Sequence, residues 1–315
     1  MVDVSVIVIT YNQEKWIEQT LDSILNQKTN YKYEIIIGED FGTDNTRNIC
    51  KKYVDKYDHV FLTDQTSNLG IIGNYVNCLK HCNGKYIMVC AGDDFWHNPN
   101  KIQLQIDYMN SHEECVVCHT DINLLNENSG KTINEYNKKH NIIPPEGKIQ
   151  HEVIAGKENI RAVTICIRKD IFFKYCDFDK WIELGFPRED WPALFILSAY
   201  GDINYIPIST ATYRVGQESI TNTLSYDKIK KRYKQDKIMT EYLYSLFPEL
   251  GEFKDGWWYD AHVYHSLLEA AYHNNDYKSA KEFAKLSPVK TFKEKCVKNR
   301  LLFLLLRIYD KLKVR

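Results

Sequence analysis

Two adjacent carboxylates, Asp93 and Asp94, stand near the end of the stretch 85–96, K-Y-I-M-V-C-A-G-D-D-F-W. As neighbouring anions they repel each other unless a cation sits between or beside them. A hard divalent cation carrying a phosphate group suits the pair, because such ions take oxygen ligands from one or two protein carboxylates and from the phosphate itself. The apolar run 86–90 just ahead reads as a strand, and in open α/β sheets ligands bind beyond the carboxyl ends of the strands. The plain alternative is a solvated turn in which one Asp caps a helix, since Asn98-Pro99 reads as a helix start. A second acidic turn, Glu39-Asp40-Phe41-Gly42-Thr43-Asp44, also follows a strand-like run, residues 33–38. A third acidic group, Glu189 and Asp190 in R-E-D-W, stands where a helix begins. Carboxylates there suit proton transfer, although the helix dipole alone also favours acids at that end.

Cys115-Val116-Val117-Cys118-His119 matches the haem-attachment spacing letter for letter. It falls in a strand-like stretch, where positions three apart face opposite sides. The two thiols are therefore expected to diverge, and the stretch to be core rather than a haem or zinc site.

The elements that position these groups follow from periodicity. Residues 4–9 form a near-continuous apolar run, as in a parallel strand covered on both faces. Thr10-Tyr11-Asn12 then turns the chain, with Asn12 a candidate helix cap, and residues 14–27 carry Ile17, Leu21, Ile24 and Leu25 at helical spacing. Strand-like runs at 33–38, 59–62, 86–90 and 114–123 alternate with helical patterns at 45–57, 71–82 and 99–110. This β-α alternation predicts a mostly parallel α/β sheet with helices on both faces, and it brings the acidic strand ends to one crevice. Residues 126–150 are polar with Pro144-Pro145 and read as a loop; 162–167, 203–208 and 211–215 read as strands, and 192–200 as a helix. From residue 226 the pattern turns helical, over 227–247, 257–274 and 276–286. The expected division is a domain of residues 1–225 and a helical extension, 226–315.

Composition bounds the classes. A 315-residue chain with 44% hydrophobic and 26% charged residues suits a large globular domain, with or without a smaller second one. A net charge of −1 gives no nucleic-acid footprint. The first residues lack a basic leader, no run approaches a membrane span, and nine Cys, an odd number, suit reduced thiols, so a cytoplasmic location is expected. The last stretch, 298–315, places six basic residues and one acid around L-L-F-L-L-L. Two readings stay open: a basic amphipathic helix lying on an anionic membrane surface, or a terminal helix packed on its own domain.

Taken together, T-Y-N after the first strand, E-D-F-G-T-D-N-T after the second and A-G-D-D-F-W after the fourth resemble the inverting family 2 glycosyltransferases of GT-A fold, of the bacterial surface-polysaccharide type. Ser23-Ile24-Leu25-Asn26-Gln27 and Asn83-Gly84-Lys85-Tyr86-Ile87 fill two further family strings. The resemblance covers residues 3–125 closely and 160–221 loosely. It implies that Thr10, Tyr11 and Asn12 line a nucleotide site with Tyr11 against the base, that Asp40 accepts a uracil N–H, and that Asp44 flanks the pocket or holds its loop. It places Asp93 on the last acid of the family's D-x-D triplet, the ligand of Mn²⁺ or Mg²⁺ on the diphosphate of a UDP-sugar, with Asp94 following. Ala91 stands where the triplet's first acid would be, and Gly42 where a Ser is usual. Glu189-Asp190 resembles the family's E-D element, which makes Asp190 the catalytic base and Glu189 the reserve. Thr212-Tyr213-Arg214-Val215-Gly216 is similar to the string Y-R-x-H, with Arg214 left to offset phosphate charge or to form an ion pair, and Gly216 in place of the His. Trp96, Trp181 and Trp191 are either sugar platforms or core. The implied acceptor is a saccharide or a lipid-linked oligosaccharide at the inner membrane face. Three rivals are weighed: a nucleotidyltransferase, which wants a Gly-rich loop where this chain has T-Y-N-Q-E-K-W; a dehydrogenase, which wants a G-x-G-x-x-G this chain lacks; and an inactive binding protein of the same fold.

Overall fold

The computed structural model describes residues 1–216, 223–251, 255–287, 295–297 and 299–313, and of 255–261 and 307–313 the backbone alone. It divides into two compact units, Met1–Gly216 and Gln217–Arg315, against an expected division after residue 225.

The first unit opens with β1 (Val4–Thr10), α1 (Ile17–Leu25), β2 (Tyr33–Glu39), α2 (Thr46–Lys56), β3 (Val60–Leu62), α3 (Gly70–Leu79) and β4 (Tyr86–Ala91). The strands run parallel in the order β3-β2-β1-β4. Alternate residues explain why both faces are covered. Val4, Val6, Val8, Ile35, Ile37 and Met88 pack with Ile17, Leu21 and Ile24 of α1 and Cys50 of α2. The intervening Ile7, Ile36 and Val89 are equally buried on the other face. There α3 comes so near β2 that a Cβ on Gly38 would meet Asn74 Oδ1 at 2.2 Å. This is the α/β architecture expected.

The sheet continues through β5 (Phe95–Trp96), α4 (Lys101–Ser111), β6 (Cys115–Asn126), β7 (Lys131–Ile133), α5 (Tyr136–Lys139), α6 (Gln150–Ile154), β8 (Cys166–Arg168), α7 (Lys169–Tyr175), α8 (Phe178–Leu184), α9 (Asp190–Leu197) and β9 (Asp202–Val215). Beyond β4 the order is β8-β6-β9-β5, with β7 paired to β6. The long β6 and β9 run parallel, and the short β5, β7 and β8 supply the antiparallel pairings.

Four local expectations change. The two strands expected at 203–208 and 211–215 are one strand, β9, because the register slips from Thr120↔Ile206 to Asp121↔Ser209. That irregularity absorbs Pro207, which has no N–H to give a ladder. The expected loop 126–150 holds the β6–β7 hairpin, turning at Gly130 with φ +65°. The strand expected at 162–167 opens with a tight turn and pairs only from Cys166. In β6 the register also slips between Cys115 and Val117, so the two thiols do not diverge: Cys115 Sγ lies 3.4 Å from Met109 Sδ and Cys118 Sγ 3.4 Å from Gln105 Nε2, both on α4. All nine cysteines are buried free thiols. His119 is buried against Tyr205, and burial together with the Lys101 charge holds its pKa down to about 3.

The second unit contains α10 (Tyr226–Leu246), α11 (Asp255–His273), α12 (Tyr277–Leu286) and α13 (Arg300–Lys313). Ile229, Leu267, Leu268, Ala271, Phe283 and Phe303 form its core. Asp276 caps α12, accepting the Ser279 N–H at 3.1 Å. On α13, Phe303 points inward while Leu301, Leu302, Leu304 and Leu305 are 42–64% exposed. Lys298, Val314 and Arg315 of the basic tail lie outside the described residues, as does 217–221 of the loosely similar stretch. Among the described residues no helix is long and apolar enough to cross a membrane.

Candidate functional site

Parallel pairing brings three strand ends level: Thr10 is opposite Glu39, and Ile9 opposite Ala91. The loops leaving β1 and β2 are then laced together. Thr10 Oγ1 donates to Gln13 Oε1 at 2.8 Å, and the Asp40 N–H donates to Thr10 O at 2.9 Å. Asn12 is not a helix cap, because α1 starts only at Ile17. Instead it adopts φ +52° and its side-chain oxygen accepts the Thr43 N–H at 2.7 Å. A short polar side chain suits that left-handed position. Tyr11 projects into solvent beside it.

Asp40 is nearly buried and accepts the Leu69 N–H at 2.7 Å at the start of α3. Burial pushes its carboxyl above the usual range, against the pull of the Leu69 and Gly70 N–H groups. Asp44 faces the loops rather than the crevice, accepting N–H groups from Glu14 and Thr46, each at 3.0 Å. Burial opposes its charge, but the Thr46 and Glu14 donors prevail and hold the carboxyl below the usual range. Of its two expected roles, the geometry supplies that of a loop brace. Gly42 also has a physical account: a Cβ there would meet Asn12 Oδ1 at 2.7 Å and Glu39 Oε1 at 2.8 Å, so a Ser would require those side chains to shift.

The turn after β4 is pinned from α1. Thr20 Oγ1 lies 3.0 Å from Gly92 O and 2.6 Å from Asp94 O. Asp93 stands half-buried at this turn. The two acids part company here, and neither caps a helix, since α4 begins at Lys101. Asp94 is buried, and its Oδ1 accepts the Arg214 N–H of β9 at 2.9 Å. Burial first, and the Asp93 charge second, push its carboxyl far above the usual range. Placing Asp94 among the nucleotide-facing residues is thus corrected: it ties β9 to the β4 turn. Of the two readings of Arg214, the ion pair is the one the structure shows, though buried rather than on the surface. Its guanidinium is buried, engages Glu127 and Gln19, and lies 5.0 Å over the Phe95 ring, so its charge is already answered within the fold.

No three His, Cys, Asp or Glu side chains gather as a metal cluster among the described residues. Asp93 offers one hard carboxylate at a strand end, and Ala91 offers none. Such a donor fits Mg²⁺ or Mn²⁺ of the kind whose shell is completed by phosphate oxygens and water.

Opposite these loops α9 begins with Asp190, half-buried, whose Oδ1 accepts the Trp191 N–H at 2.8 Å. Glu189 is buried, and burial followed by the Asp190 charge pushes its pKa up to about 7. Both acids line a small cavity with Tyr75, Val89, Val117 and Ile165. Glu158, raised chiefly by burial, and the cations Arg161 and Arg188 complete the cluster. Burial first and the Asp94 charge second raise the Tyr213 hydroxyl, with smaller contributions from Asp93 and Asp190, and Arg161 lies 6.0 Å from its ring. Sequence reasoning passed over Tyr213, although it sits in the string quoted for Arg214, and over Thr20, Glu158 and Arg161, which no motif marks. Trp96, Trp181 and Trp191 are all buried and belong to the core, not to an open sugar platform.

An uncharacterised protein of Mycobacterium tuberculosis is 35% identical over 129 residues, 40% of this chain and 37% of that one. The putative teichuronic acid biosynthesis glycosyltransferase TuaG of Bacillus subtilis is 32% identical over 124 residues, 39% of this chain and 47% of that one. The matched stretch thus spans less than half the length of these relatives. Among solved structures, residues 1–349 of S. aureus TarS in complex with UDP-GlcNAc superpose with a TM-score of 0.51 at 17% identity, covering 90% of this chain and 84% of that one. The mannosyltransferase PcManGT of Pyrobaculum calidifontis, in complex with GDP-Man and Mn²⁺, gives 0.55 at 14% identity, covering 99% and 80%. At these identities the likeness is one of fold. The sequence pattern of the family described as Glycosyl transferase family 2 matches residues 5–172, more than half of the 315, and the chain belongs to that family.

Proposed function

We propose that the chain is an inverting glycosyltransferase that moves a sugar from a nucleotide-sugar, a UDP-sugar, to a saccharide or lipid-linked acceptor in surface-polysaccharide synthesis. The observation that carries this reading is the level ending of β1, β2 and β4, which sets the loops bearing Tyr11, Asp40 and Asp93 side by side at one edge of the sheet. Asp40 accepts an N–H from the base, and Tyr11 lies against the base plane. Asp93 holds Mn²⁺ or Mg²⁺, which when bound offsets the charge gathering on the diphosphate. Asp190 takes the proton of the acceptor hydroxyl as its oxygen bonds to the anomeric carbon, while the bond to the diphosphate oxygen breaks and its electron pair leaves with UDP. Attack from the side opposite the leaving group inverts the anomeric centre.

Work of this kind suits a cytoplasmic protein resting on the membrane. The four exposed leucines of α13 stand in a stretch with Arg300, Arg307, Lys311 and Lys313 and one acid, Asp310. That charge suits an anionic bilayer, whereas a second copy would bring like cations together. Sedimentation with phosphatidylglycerol vesicles, but not with phosphatidylcholine vesicles, is the expected result; equal sedimentation with both, or with neither, rejects it.

The test of the enzyme reading is calorimetric titration of UDP, with GDP and ADP as controls, with and without Mn²⁺, followed by UDP release from UDP-sugars. UDP-selective binding that Mn²⁺ strengthens is expected, and Asp93→Ala should remove the Mn²⁺ effect while leaving metal-free binding in place. Binding without turnover of any UDP-sugar would favour the inactive binding protein, with Ala91 the first residue to restore to Asp. No nucleotide binding would sink the site assignment.

A further inference from the structure

Phe41 contributes little to the fold that holds it. It adopts φ +57°, a left-handed conformation that is costly for a bulky side chain and free for glycine. Half its surface is in water, 50% exposed, and its ring has no aromatic or cationic partner among the described residues. Burial therefore returns little for the strain. Strain of this sort is held in place only where the surroundings over-determine it, and such positions cluster at ligand sites.

The surroundings here do over-determine it. Phe41 follows Asp40 directly, and its own N–H donates to Glu39 O at 2.9 Å. Asp40 is fixed to Thr10 O on one side and to the Leu69 N–H on the other. Across the crevice Tyr11, 49% exposed, precedes Asn12, also left-handed at φ +52°. Because Thr10 and Glu39 share a rung of the sheet, Tyr11 and Phe41 leave it one and two residues beyond that rung, from neighbouring strands. The Thr43 N–H to Asn12 Oδ1 bond then locks the two loops together. Two exposed aromatic residues thus stand on adjoining, mutually bonded loops, one of which carries the buried Asp40.

We propose that Phe41 is the second aromatic wall of the nucleobase site. The inference rests on the reading of Asp40 as the acceptor for the base edge. Asp40 selects among bases by their N–H pattern, whereas Phe41 adds stacking that any base plane satisfies. The backbone strain at Phe41 is the stability given up for that contact. Affinity and stability therefore respond with opposite signs when the ring is removed, which no purely structural role of the side chain produces.

The experiment compares wild type, Phe41→Gly, Phe41→Leu and Phe41→Tyr by calorimetric titration with UDP, GDP and ADP in Mn²⁺, and by thermal melting without nucleotide. Phe41→Gly and Phe41→Leu should each weaken UDP binding about tenfold, with the UDP preference over GDP and ADP unchanged, and Phe41→Tyr should bind as wild type does. Phe41→Gly should also melt no lower than wild type, since glycine takes the same φ without strain. Wild-type affinity in Phe41→Gly overturns the proposal and leaves the nucleotide site standing. A lowered melting point in Phe41→Gly overturns it too, because the ring would then be serving the fold. Failure of wild type itself to bind any nucleotide overturns the site reading first and this inference with it.

Discussion

The crevice at the ends of β1, β2 and β4 and the cluster around α9 are built on different principles. In the crevice the acids lie in short contiguous strings, and two of them are oriented by backbone donors: Asp40 by the Leu69 N–H, Asp44 by the Glu14 and Thr46 N–H groups. Donors of that kind favour the charged form: they hold Asp44 below the usual range, while at Asp40 burial outweighs them. In the α9 cluster, Glu158, Arg161, Glu189, Asp190 and Tyr213 come from distant segments, and burial is the dominant influence on Glu158 and Glu189. Burial favours the protonated acid. On the proposed reading the first region faces the diphosphate and the second the acceptor hydroxyl. A site that must grip a diphosphate and deprotonate a hydroxyl needs both, and needs them apart.

The sharpest way to break that comparison is at Asp190. Asp190→Asn removes the proton acceptor while keeping size and the N–H contact at Trp191. Turnover of a UDP-sugar should fall by about 10²–10⁴-fold, with UDP affinity unchanged in the same preparation. Loss of UDP affinity along with turnover would show that the two regions are one binding surface, and the division of labour would be wrong.

The contrast also explains what could be read in advance. Strand ends in a parallel sheet converge by topology alone, so T-Y-N, E-D-F-G-T-D and A-G-D-D were sufficient to bring Thr10, Asp40 and Asp93 to one edge. What strings do not carry is the direction of a side chain. Asp93 and Asp94 are adjacent letters, yet one stands half-buried at the turn and the other is buried on the Arg214 backbone. That outcome depends on β5 and β9 pairing across 115 residues at Trp96↔Ala211, and β5 is only two residues long. Arg214 was legible as a cation but not as one already engaged, because Gln19 and Glu127 reach it from elements remote in sequence. Cys115 and Cys118 failed for a smaller reason: alternation holds only while the register does, and β6 slips at Val116. Glu158 and Arg161 had no signal at all, since a cluster assembled by tertiary packing leaves no spacing to find.

Glu189 tests the proton-holding side at lower cost to activity. Its ordinary pKa of 4.5 rises to about 7 in the fold, through burial first and the Asp190 charge second, with Arg188 pulling the other way. Below pH 4.5 the group is protonated in both folded and unfolded chains and costs nothing. Between 4.5 and 7 the folded chain keeps a proton that the unfolded chain has released, so stability falls as pH rises through that window. Above 7 the folded chain carries a buried carboxylate, at a cost of roughly 3 kcal/mol relative to the acid form. Glu189→Gln removes the titration and keeps the shape. Urea unfolding at pH 5 and pH 8 should therefore show a smaller loss of stability across the interval in Glu189→Gln than in wild type, and a variant more stable than wild type at pH 8. Asp190→Asn should fall between them, because it removes the charge that contributes to the shift but not the burial. An unchanged pH slope in Glu189→Gln would mean that Glu189 is ionised in the fold throughout, and the α9 cluster would then differ from the strand-end crevice in position only.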